Sequence, residues 1–456
     1  MMISGFEDVI AITEFNLKKE VNNHSKCYFK ALIKEKSISK YLNMVGQVAD
    51  IYLKQKKILS AIVLEVNLIK NFSETYIEVV AQSYSVKLDS EKHTRLFQNP
   101  EKTLNSILNI VNSFSPSFDI KILDKEIKNK IIKKPILQYD ETDFEFINRM
   151  ANENEMYLWL DDISNNHRNI KIYKSLNTSV KFIELEKIRS YRLKKDLLSE
   201  VVEITLDEYI ELGKVVQIEN IRYFVTELEI KKEKEEYLIN YTLTRIDKLF
   251  FEKNDKNKNF IKLKGRVIDN NDPKRLGRIK VDFIGIEELD NEKKIWIDFK
   301  TPYSNNDKGF VFIPEVNDLL DIEFDGENFI ASSAIRENPI NNSCENLNNN
   351  YIYNSFDKKI TFKEETLEIQ SLNNIIKLSN DDISLNVGNN SIFINKDSII
   401  LKCNDLTIKL SDGIEISGNK INIKSISDIN IKSGSDINIK SDSDVTISGT
   451  KGINLN

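Results

Sequence analysis

The sequence predicts a mainly β protein in which an α+β N-terminal region and a small β-barrel precede a stacked β-rod. Three observations support this fold class. An eight-residue repeat occupies the C-terminal end, short alternating runs of apolar and polar residues fill most of the remaining chain, and two segments have helical spacing. The 456 residues allow several domains, because single cores rarely grow beyond about 250 to 300 residues.

The C-terminal repeat is the clearest of these patterns. Its units begin at Ile421, Ile429, Ile437 and Val445, and apolar residues stand two apart in each, as Ile429 and Ile431 do. Alternation places these residues on one face of a strand. A short strand with one apolar face cannot bury that face alone, so we expect copies to stack. The Ser, Gly and Asp residues that close each unit tolerate a bend.

Weaker versions of the pattern extend the predicted rod towards the N-terminus, at Leu406–Leu410, Ile399–Leu401 and Ile383–Val387. The rod therefore starts near Tyr353 and holds roughly twelve strands, which would span roughly 60 Å if three chains intertwine.

Three other structures could use such a repeat. Asp428, Asp436 and Asp444 recur as calcium ligands would. Calcium-binding repeats of this kind, however, have a nine-residue unit that is rich in glycine. A single-chain β-helix, as in polysaccharide lyases, would need larger coils and usually a charged cluster on one face. A disordered tail is disfavoured by the strict period and the isoleucine content.

The N-terminal region alternates between strands and two helices. Ala61–Val66 and Tyr76–Val80 read as strands. A helix is predicted between Asn99 and Phe114, with Pro100 in its opening turn, because apolar residues recur there at helical spacing. They are Leu104, Ile107, Leu108 and Val111.

A second helix is predicted to begin at Thr142, because Thr142 and Glu145 have the spacing of a capping box. The apolar residues Phe144, Ile147 and Met150 follow at three-residue steps, and Met156–Leu160 reads as the next strand. The acids Asp140, Glu141, Asp143 and Glu145 could be paired catalytic carboxylates. The helix dipole explains acids in a first turn more simply.

Residues 170–250 return to strands, with a mixed charge run at Lys231–Glu236 that predicts a solvated hairpin tip. The polar segment Glu252–Asn259 predicts a linker between domains. The Asn-rich stretch after Pro339 predicts a second linker. Between them, short strands with glycines at the bends predict a barrel of the OB type. Its strands are Arg278–Phe283, Ile295–Phe299 and Leu319–Phe324, and its glycines are Gly265, Gly277, Gly285, Gly309 and Gly326.

The sequence contains no candidate catalytic, cofactor-binding or metal-binding residues. Cys27, Cys344 and Cys403 are far apart and are expected to be free thiols. His24, His93 and His167 are isolated, and HExxH, P-loop, GxSxG and CxxC motifs are absent. The net charge of −6 disfavours a general nucleic-acid or membrane-surface binder. The N-terminus lacks the pattern of a signal peptide, and no apolar run is long enough for a membrane-spanning helix.

Four segments together resemble the VgrG family, the spikes of type VI secretion and related contractile systems, and the hub and spike of contractile phage tails. Arg95-Leu96-Phe97-Gln98-Asn99 resembles the family's R-x-F-Q-x turn, and PILQYDETDFEFI at 135–147 resembles its Q-Y-x-E-[ST]-D-x-x-F signature. LGRIKV at 276–281 and GFVFIPEV at 309–316 are similar to its barrel motifs. Asn317 departs from the family's usual glycine.

The resemblance implies a homotrimer with a tube-like β-barrel hub, an OB-fold barrel and a C-terminal intertwined β-helix needle. On this basis we expect five segments. They are a hub at 1–251 with a helical insert over 99–155, a linker at 252–260, the OB fold at 261–336, a linker at 337–352 and the needle at 353–456.

The implied function is mechanical: the trimer joins inner tube and baseplate to a needle that punctures target envelopes. The implied partners are further copies of the chain, an inner tube protein, baseplate proteins, a tip protein of the PAAR type and effector cargo, with no nucleic acid and no cofactor. The protein would assemble in the cytoplasm and be expelled with the apparatus. A β-helical polysaccharide-degrading enzyme and a trimeric tail-fibre or adhesin tip are the alternative interpretations.

Overall fold

The computed structural model describes residues 1–72, 74–115, 117–164, 168–174, 180–195, 200–246, 260–289, 293–305, 308–337, 349–354, 356–450 and 452. These form two compact units, 1–337 and 338–456, which are described separately. Most of both predicted linkers, His167, Cys344 and the last four residues of the repeat lie outside the described residues. No helix in the described part of the chain is long and apolar enough to cross a membrane.

Among its described residues up to 246, the first unit has seventeen strands and four α-helices. The strands are β1 Met2–Ile3, β2 Ala11–Glu20, β3 Lys26–Ile33, β4 Val48–Leu53, β5 Lys56–Asn71, β6 Glu74–Ser83, β7 Lys92–Phe97, β8 Asp119–Ile122, β9 Ile136–Thr142, β10 Tyr157–Asp161, β11 Asn169–Tyr173, β12 Lys181–Ile183, β13 Ser190–Lys195, β14 Glu200–Leu206, β15 Val215–Ile218, β16 Ile221–Glu233 and β17 Glu236–Arg245. The helices are α1 Ile38–Leu42, α2 Leu104–Phe114, α3 Lys125–Lys128 and α4 Asp143–Glu153. Short 3-10 turns lie at Glu35–Ser37, Tyr84–Asp89 and Leu185–Lys187.

Twelve of these strands form one large sheet. Its order is β1-β4-β5-β6-β3-β2-β16-β17-β14-β13, with β15 and β12 branching from β16. Strands such as β3 and β6 alternate between buried and more exposed residues, so one face of the sheet encloses a common core. The strands predicted at Ala61–Val66 and Tyr76–Val80 are confirmed, and so is the hairpin at Lys231–Glu236.

In the helical insert, α4 starts with its cap at Thr142 as predicted, whereas α2 begins later than predicted. Thr142 caps α4 through a reciprocal capping box with Glu145. By contrast, α2 begins at Leu104 and not near Pro100, because the Thr103 side chain accepts the hydrogen bond from the Ser106 amide and caps the helix there. The apolar faces of both helices pack with the β10-β11-β8 sheet around a second core.

The remaining described strands of the first unit lie in the segment that forms the small barrel. They are β18 Ile261–Asp269, β19 Lys280–Phe283, β20 Glu287–Glu288, β21 Asp298–Phe299, β22 Ser304–Asn305, β23 Lys308–Gly309, β24 Leu319–Phe324 and β25 Phe329–Ile335. A five-stranded sheet runs β19-β18-β24-β25-β21, and a bridge between Ile279 and Ile297 joins its two ends. The predicted strands are therefore confirmed, although two are shorter than expected. At Gly265 a Cβ atom would lie 2.5 Å from the Ile322 side chain, so the glycine permits close packing of β18 and β24.

In the described part of the second unit, residues 350–417 form a nine-stranded antiparallel meander in which each strand pairs with the next. Its strands are β26 Asn350–Tyr353, β27 Lys358–Phe362, β28 Thr366–Ser371, β29 Asn374–Ser379, β30 Asp382–Val387, β31 Asn390–Asn395, β32 Ile399–Cys403, β33 Leu406–Leu410 and β34 Ile414–Ser417. The first of these strands ends at Tyr353, near which we expect the rod to start. From 350 to 417, however, neighbouring strands of one chain pair with each other, so intertwining of chains is a prediction for the repeat after Ile421 alone.

Candidate functional sites: a buried ionic joint and an uncovered apolar rod

The first site is a joint between the helical insert and the barrel, built on β7. This strand pairs with β9 on one side and with β20 of the barrel on the other. Arg95 and Asp143 meet here, with 2.7 Å between Nη1 and Oδ1, and both residues are 3 % exposed. Arg95 Nε also donates to Glu287 of β20 at 3.2 Å. One buried cation therefore connects a helix N-terminus to the barrel.

The neighbouring residues of β7 continue the joint. Gln98 donates through Nε2 to Glu288 at 2.9 Å and accepts through Oε1 from the Ile295 amide at 3.2 Å. Leu96 packs in the core of the barrel, although it precedes the barrel by well over 100 residues. Phe97 stacks on Phe146 of α4, with ring centroids 5.6 Å apart.

The segment 135–147, which resembles the family signature, supplies the other half of the joint. Gln138 donates to Asp143 Oδ1 at 3.2 Å and to the carbonyl of Glu141 at 3.1 Å. Arg149 makes a two-pronged contact with Glu141, both distances being 2.8 Å. Burial lowers the pKa of Arg149, but its contacts with Glu141 and Glu153 raise that pKa more. The motif at 95–99 and the motif at 135–147, which are separate in the sequence, therefore form one contact network.

The four acids of the signature segment have four different partners, so the structure does not bring them together as a catalytic pair. Asp140 is exposed and contacts Lys92, and Glu141 binds Arg149. Asp143 and Glu145 lie in the first turn of α4, as the helix-dipole interpretation predicts. Glu287 and Glu288 were not predicted as part of any site, because no local pattern in the sequence marks them.

The described histidines and cysteines lie apart from one another. His24 accepts or donates hydrogen bonds at 2.7 Å to Ser85 Oγ and to Asp89 Oδ2, and its ring packs on Phe144. His93 lies on β7. Cys27 and Cys403 are free thiols, and burial raises the pKa of Cys27. Within the described residues, no three His, Cys, Asp or Glu side chains group as a metal site requires.

The second site is the apolar face of the meander. Register aligns one apolar residue from each of its nine strands into a continuous column. The column consists of Ile352, Ile360, Ile369, Ile376, Leu385, Ile392, Leu401, Ile408 and Ile416. A second column stands two residues away on the same face, with members such as Leu378, Ile383 and Ile394.

Within the described part of the second unit, no other element covers this face. Most members of the first column are between 36 % and 46 % exposed, although they occupy the centre of the strands. An apolar face of this length on a soluble protein marks a contact surface. The described part of the second unit supplies no second layer to pack on it.

The octad repeat differs from the meander in its spacing. From Ile360 to Ile408 the column residues of the meander alternate between nine and seven residues apart, because the chain reverses direction at every turn. In the repeat the spacing is a uniform eight. Its described residues form no strand pairs within the chain, so the predicted strands are not formed there by one chain alone.

The predicted bends of the repeat are present at regular intervals. The amides of Ser427, Ser435 and Ser443 each donate to the hydroxyl of the serine two residues before, at 3.2 to 3.3 Å. The same local turn therefore recurs every eight residues. The isoleucines between these turns are exposed, as Ile423 and Ile431 show.

Comparison with known proteins agrees with this arrangement. Residues 263–332 match the model of the type VI secretion system and phage-baseplate injector OB domain. A comparison with curated proteins gave no match.

Several solved structures share the fold at low sequence identity. The E. coli c3393 protein is described as a type VI secretion component with structural similarity to the T4 tail proteins gp27 and gp5. It is 10 % identical, has a TM-score of 0.56, and aligns over 74 % of this chain and 99 % of its own. A PdpA–VgrG complex in its lidless form aligns over 90 % and 94 %, with 10 % identity and a TM-score of 0.57. The lidded Francisella PdpA–VgrG complex aligns over 90 % and 76 %, with 11 % identity and a TM-score of 0.54.

Residues 263–332 therefore match the OB domain of type VI secretion and phage-baseplate injectors, and the chain shares its fold with the c3393 protein and with solved VgrG complexes.

Proposed function

We propose that the protein is the homotrimeric spike of a contractile injection system and that its action is mechanical. The observation that carries this proposal is the uncovered double column of apolar residues along the meander. Three such sheets packed face to face would bury the columns in a dry core. Burial of apolar surface contributes about 25 cal/mol per Å².

The large sheet of the hub supports the same threefold assembly. One edge of this sheet is the C-terminal half of β5, beyond Leu64, because β4 pairs only with the N-terminal half of β5. The other end is β13. In both places core-side residues remain half exposed, such as Leu68 and Leu193. Edge-to-edge pairing with neighbouring copies would cover both ends of the sheet.

The repeat after Ile421 would then be the intertwined part of the needle. A uniform spacing of eight residues suits strands that all advance in one direction. Each of them would take its ladder hydrogen bonds from the other two chains. Sheath contraction would supply the energy, and the paired backbone would make the needle stiff. No residue need perform chemistry in this mechanism.

The same proposal assigns the partners and the location. The hub would contact an inner tube protein and baseplate proteins, and the needle end would carry a PAAR-type tip and effector cargo. The spike would assemble in the cytoplasm and leave with the apparatus.

Light scattering combined with detergent-gel analysis tests this function. We expect a mass three times the 52.9 kDa of the chain and a band that resists detergent without heating. A monomer would contradict the proposal and favour a single-chain β-helical enzyme. A trimer that fails to co-purify with an inner tube protein would favour a tail-fibre or adhesin tip.

A further inference from the structure

A continuous series of hydrogen bonds passes through His24, which lies in the turn between β2 and β3 and whose side chain is 11 % exposed. Its Nδ1 lies 2.7 Å from Ser85 Oγ, and its Nε2 lies 2.7 Å from Asp89 Oδ2. Ser85 Oγ lies 2.8 Å from Ser83 Oγ, which accepts from the Ser25 amide at 3.1 Å. These five residues form the serine–histidine network, which joins the β2–β3 turn to the end of β6 and to the 3-10 turn that follows it.

Both ends of the serine–histidine network contact other elements. At one end Asp89 Oδ1 accepts from Thr142, the cap of α4, at 2.5 Å. At the other end the Ser25 hydroxyl donates at 2.5 Å to Asp162, which directly follows β10. Asp162 forms an ion pair of 2.5 Å with Lys19 of β2, and both are almost fully buried. The network therefore lies where the large sheet meets α4 and β10.

The donors of the network all point the same way when the imidazole ring is neutral. The Ser25 amide can only donate, so Ser83 accepts there. Ser83 can then donate to Ser85, and Ser85 to Nδ1 of His24. The single proton of the neutral ring lies on Nε2, where it faces the Asp89 carboxylate. In this state every group of the network has a hydrogen-bond partner.

A protonated ring is incompatible with this order. It would donate through Nδ1 as well, so Ser85 would accept from it and donate to Ser83. Ser83 would then accept two hydrogen bonds, and its own hydroxyl proton would have no acceptor among the described residues. Ser83 is only 1 % exposed, so water cannot replace the missing acceptor. A buried donor without a partner is costly, and protonation therefore weakens the network.

The charged groups around the ring leave this effect to the network. Among the described residues, Asp89 alone forms an ion pair with the ring, and its carboxylate attracts the charged form. On the α4 side the ring meets uncharged Phe144, with ring centroids 3.9 Å apart. Asp143 and Glu145 of the same helix bind other partners, and Lys87 of the 3-10 turn lies over a tyrosine ring. Asp89 therefore allows protonation at mildly acid pH, and the buried hydroxyl makes it disruptive.

We propose that His24 is a pH-sensitive switch that controls how tightly the β2–β3 turn is held against the 3-10 turn and α4. The neutral ring completes the network, and protonation between about pH 7 and pH 5, the range in which histidine changes its charge, opens it. All members of the network belong to one chain. The inference is therefore independent of the proposed trimer and of its mechanical action.

Hydrogen exchange followed by mass spectrometry tests the switch on the full chain at about pH 7.5 and about pH 5.5. Exchange is measured in peptides that cover residues 21–26 and 83–89 and is corrected for the intrinsic effect of pH. We expect the corrected exchange at acid pH to be faster by about fivefold or more, because a buried donor loses its partner. Peptides from β18 of the barrel serve as the internal reference and should change much less.

Two variants identify the responsible histidine. His24→Gln has a side-chain donor and acceptor but no group that titrates in this range, so it should lose most of the acid-induced increase. His93→Gln removes a histidine of β7 that lies outside the network, and it should behave like the wild type. An unchanged exchange rate in the wild type, an equal increase in β18, or the same increase in His24→Gln would overturn the inference.

Asp89→Asn decides the case in which His24→Gln exchanges rapidly at both pH values because the turn is damaged. Without the carboxylate the charged ring is harder to form, so opening should require a lower pH, by about half a unit or more. Opening at the same pH as in the wild type would contradict the switch. The mass of the particle in light scattering has no bearing on either result, so the proposed function stands or fails separately.

Discussion

Arg95 and Asp143 form an ion pair of 2.7 Å in which both partners are almost fully removed from water. Arg95 lies on β7 and Asp143 opens α4, so the pair ties the two most specific motifs of the sequence together. Its third member, Glu287, comes from the OB domain and is half exposed. Removal of Asp143 would leave the buried Arg95 with the longer contact to half-exposed Glu287, so the loss should be far more costly than that of a surface pair.

Asp143→Asn is therefore expected to destabilise the first unit strongly. Loss of one partner of a buried pair costs about 3 to 5 kcal/mol, and urea unfolding measures the free energy of unfolding. Asp140→Asn is the matched control, because Asp140 contacts Lys92 at the surface. It should change stability by less than about 1 kcal/mol. Similar losses in both variants would show that the buried pair has no special importance.

The cap of α4 gives a second prediction. Thr142 Oγ1 accepts from the Glu145 amide at 3.1 Å and donates to Asp89 Oδ1 at 2.5 Å. Thr142→Ala should cost about 1 kcal/mol or more, because the helix loses its cap and Asp89 loses a donor. Thr142→Ser keeps the hydroxyl and should retain most of the stability in thermal unfolding. If Ser were no better than Ala, the capping role would be refuted.

The stability of the hub should depend on the charge of Asp89. Burial raises the pKa of Asp89, but hydrogen bonds from His24 and Thr142 lower that pKa more, so its folded value lies below the unfolded one. A depressed carboxyl pKa stabilises the fold fully above the unfolded pKa, about 4, and that contribution is lost as the pH falls through the lower, folded pKa. Asp89→Asn should therefore be less stable than wild type at pH 7 and equally stable at acid pH. A stability difference that is constant with pH would contradict this assignment.

Packing at Gly213 gives a fourth prediction. Gly213 has a φ of +79°, and a Cβ there would lie 2.7 Å from two ring carbons of Trp159. Gly46 has a φ of +81° with open space around it, so it isolates the effect of the backbone. Gly213→Ala should cost about 1 to 3 kcal/mol more than Gly46→Ala, because the added methyl forces the tryptophan to move. Chemical unfolding followed by tryptophan fluorescence reports both values. Equal losses of unfolding free energy in the two variants would mean that the Trp159 ring moves aside without an energetic penalty.

The needle gives a fifth prediction. Ile431→Asp should prevent detergent-resistant trimers, because three carboxylates would face one another in the apolar interior. Asn430→Asp places the same charge on the opposite face of the same predicted strand and should leave the trimer intact. Size-exclusion chromatography with light scattering distinguishes the two. Unchanged trimers in the Ile431 variant would disprove the assignment of the buried face.

Local patterns predicted the features that depend on few residues. The capping box at Thr142 and Glu145 was readable because both partners lie in one helical turn. The start of α2 was misplaced because Pro100 suits an opening turn equally well, whereas the Thr103 cap depends on one side-chain hydrogen bond. The joint was not predictable, since Arg95 and Glu287 are separated by 192 residues and only folding brings them together.

By itself the sequence determined the mainly β character, the OB-type barrel, the capped helix and the eight-residue period of the rod, because each follows from alternation or spacing within a short segment. Only the tertiary structure decided which acid of the signature is buried, how β7 joins the insert to the barrel, and that residues 350–417 pair within one chain. These choices depend on strand register and on contacts between distant segments. Their free energy arises only when the complete sheets and cores are assembled.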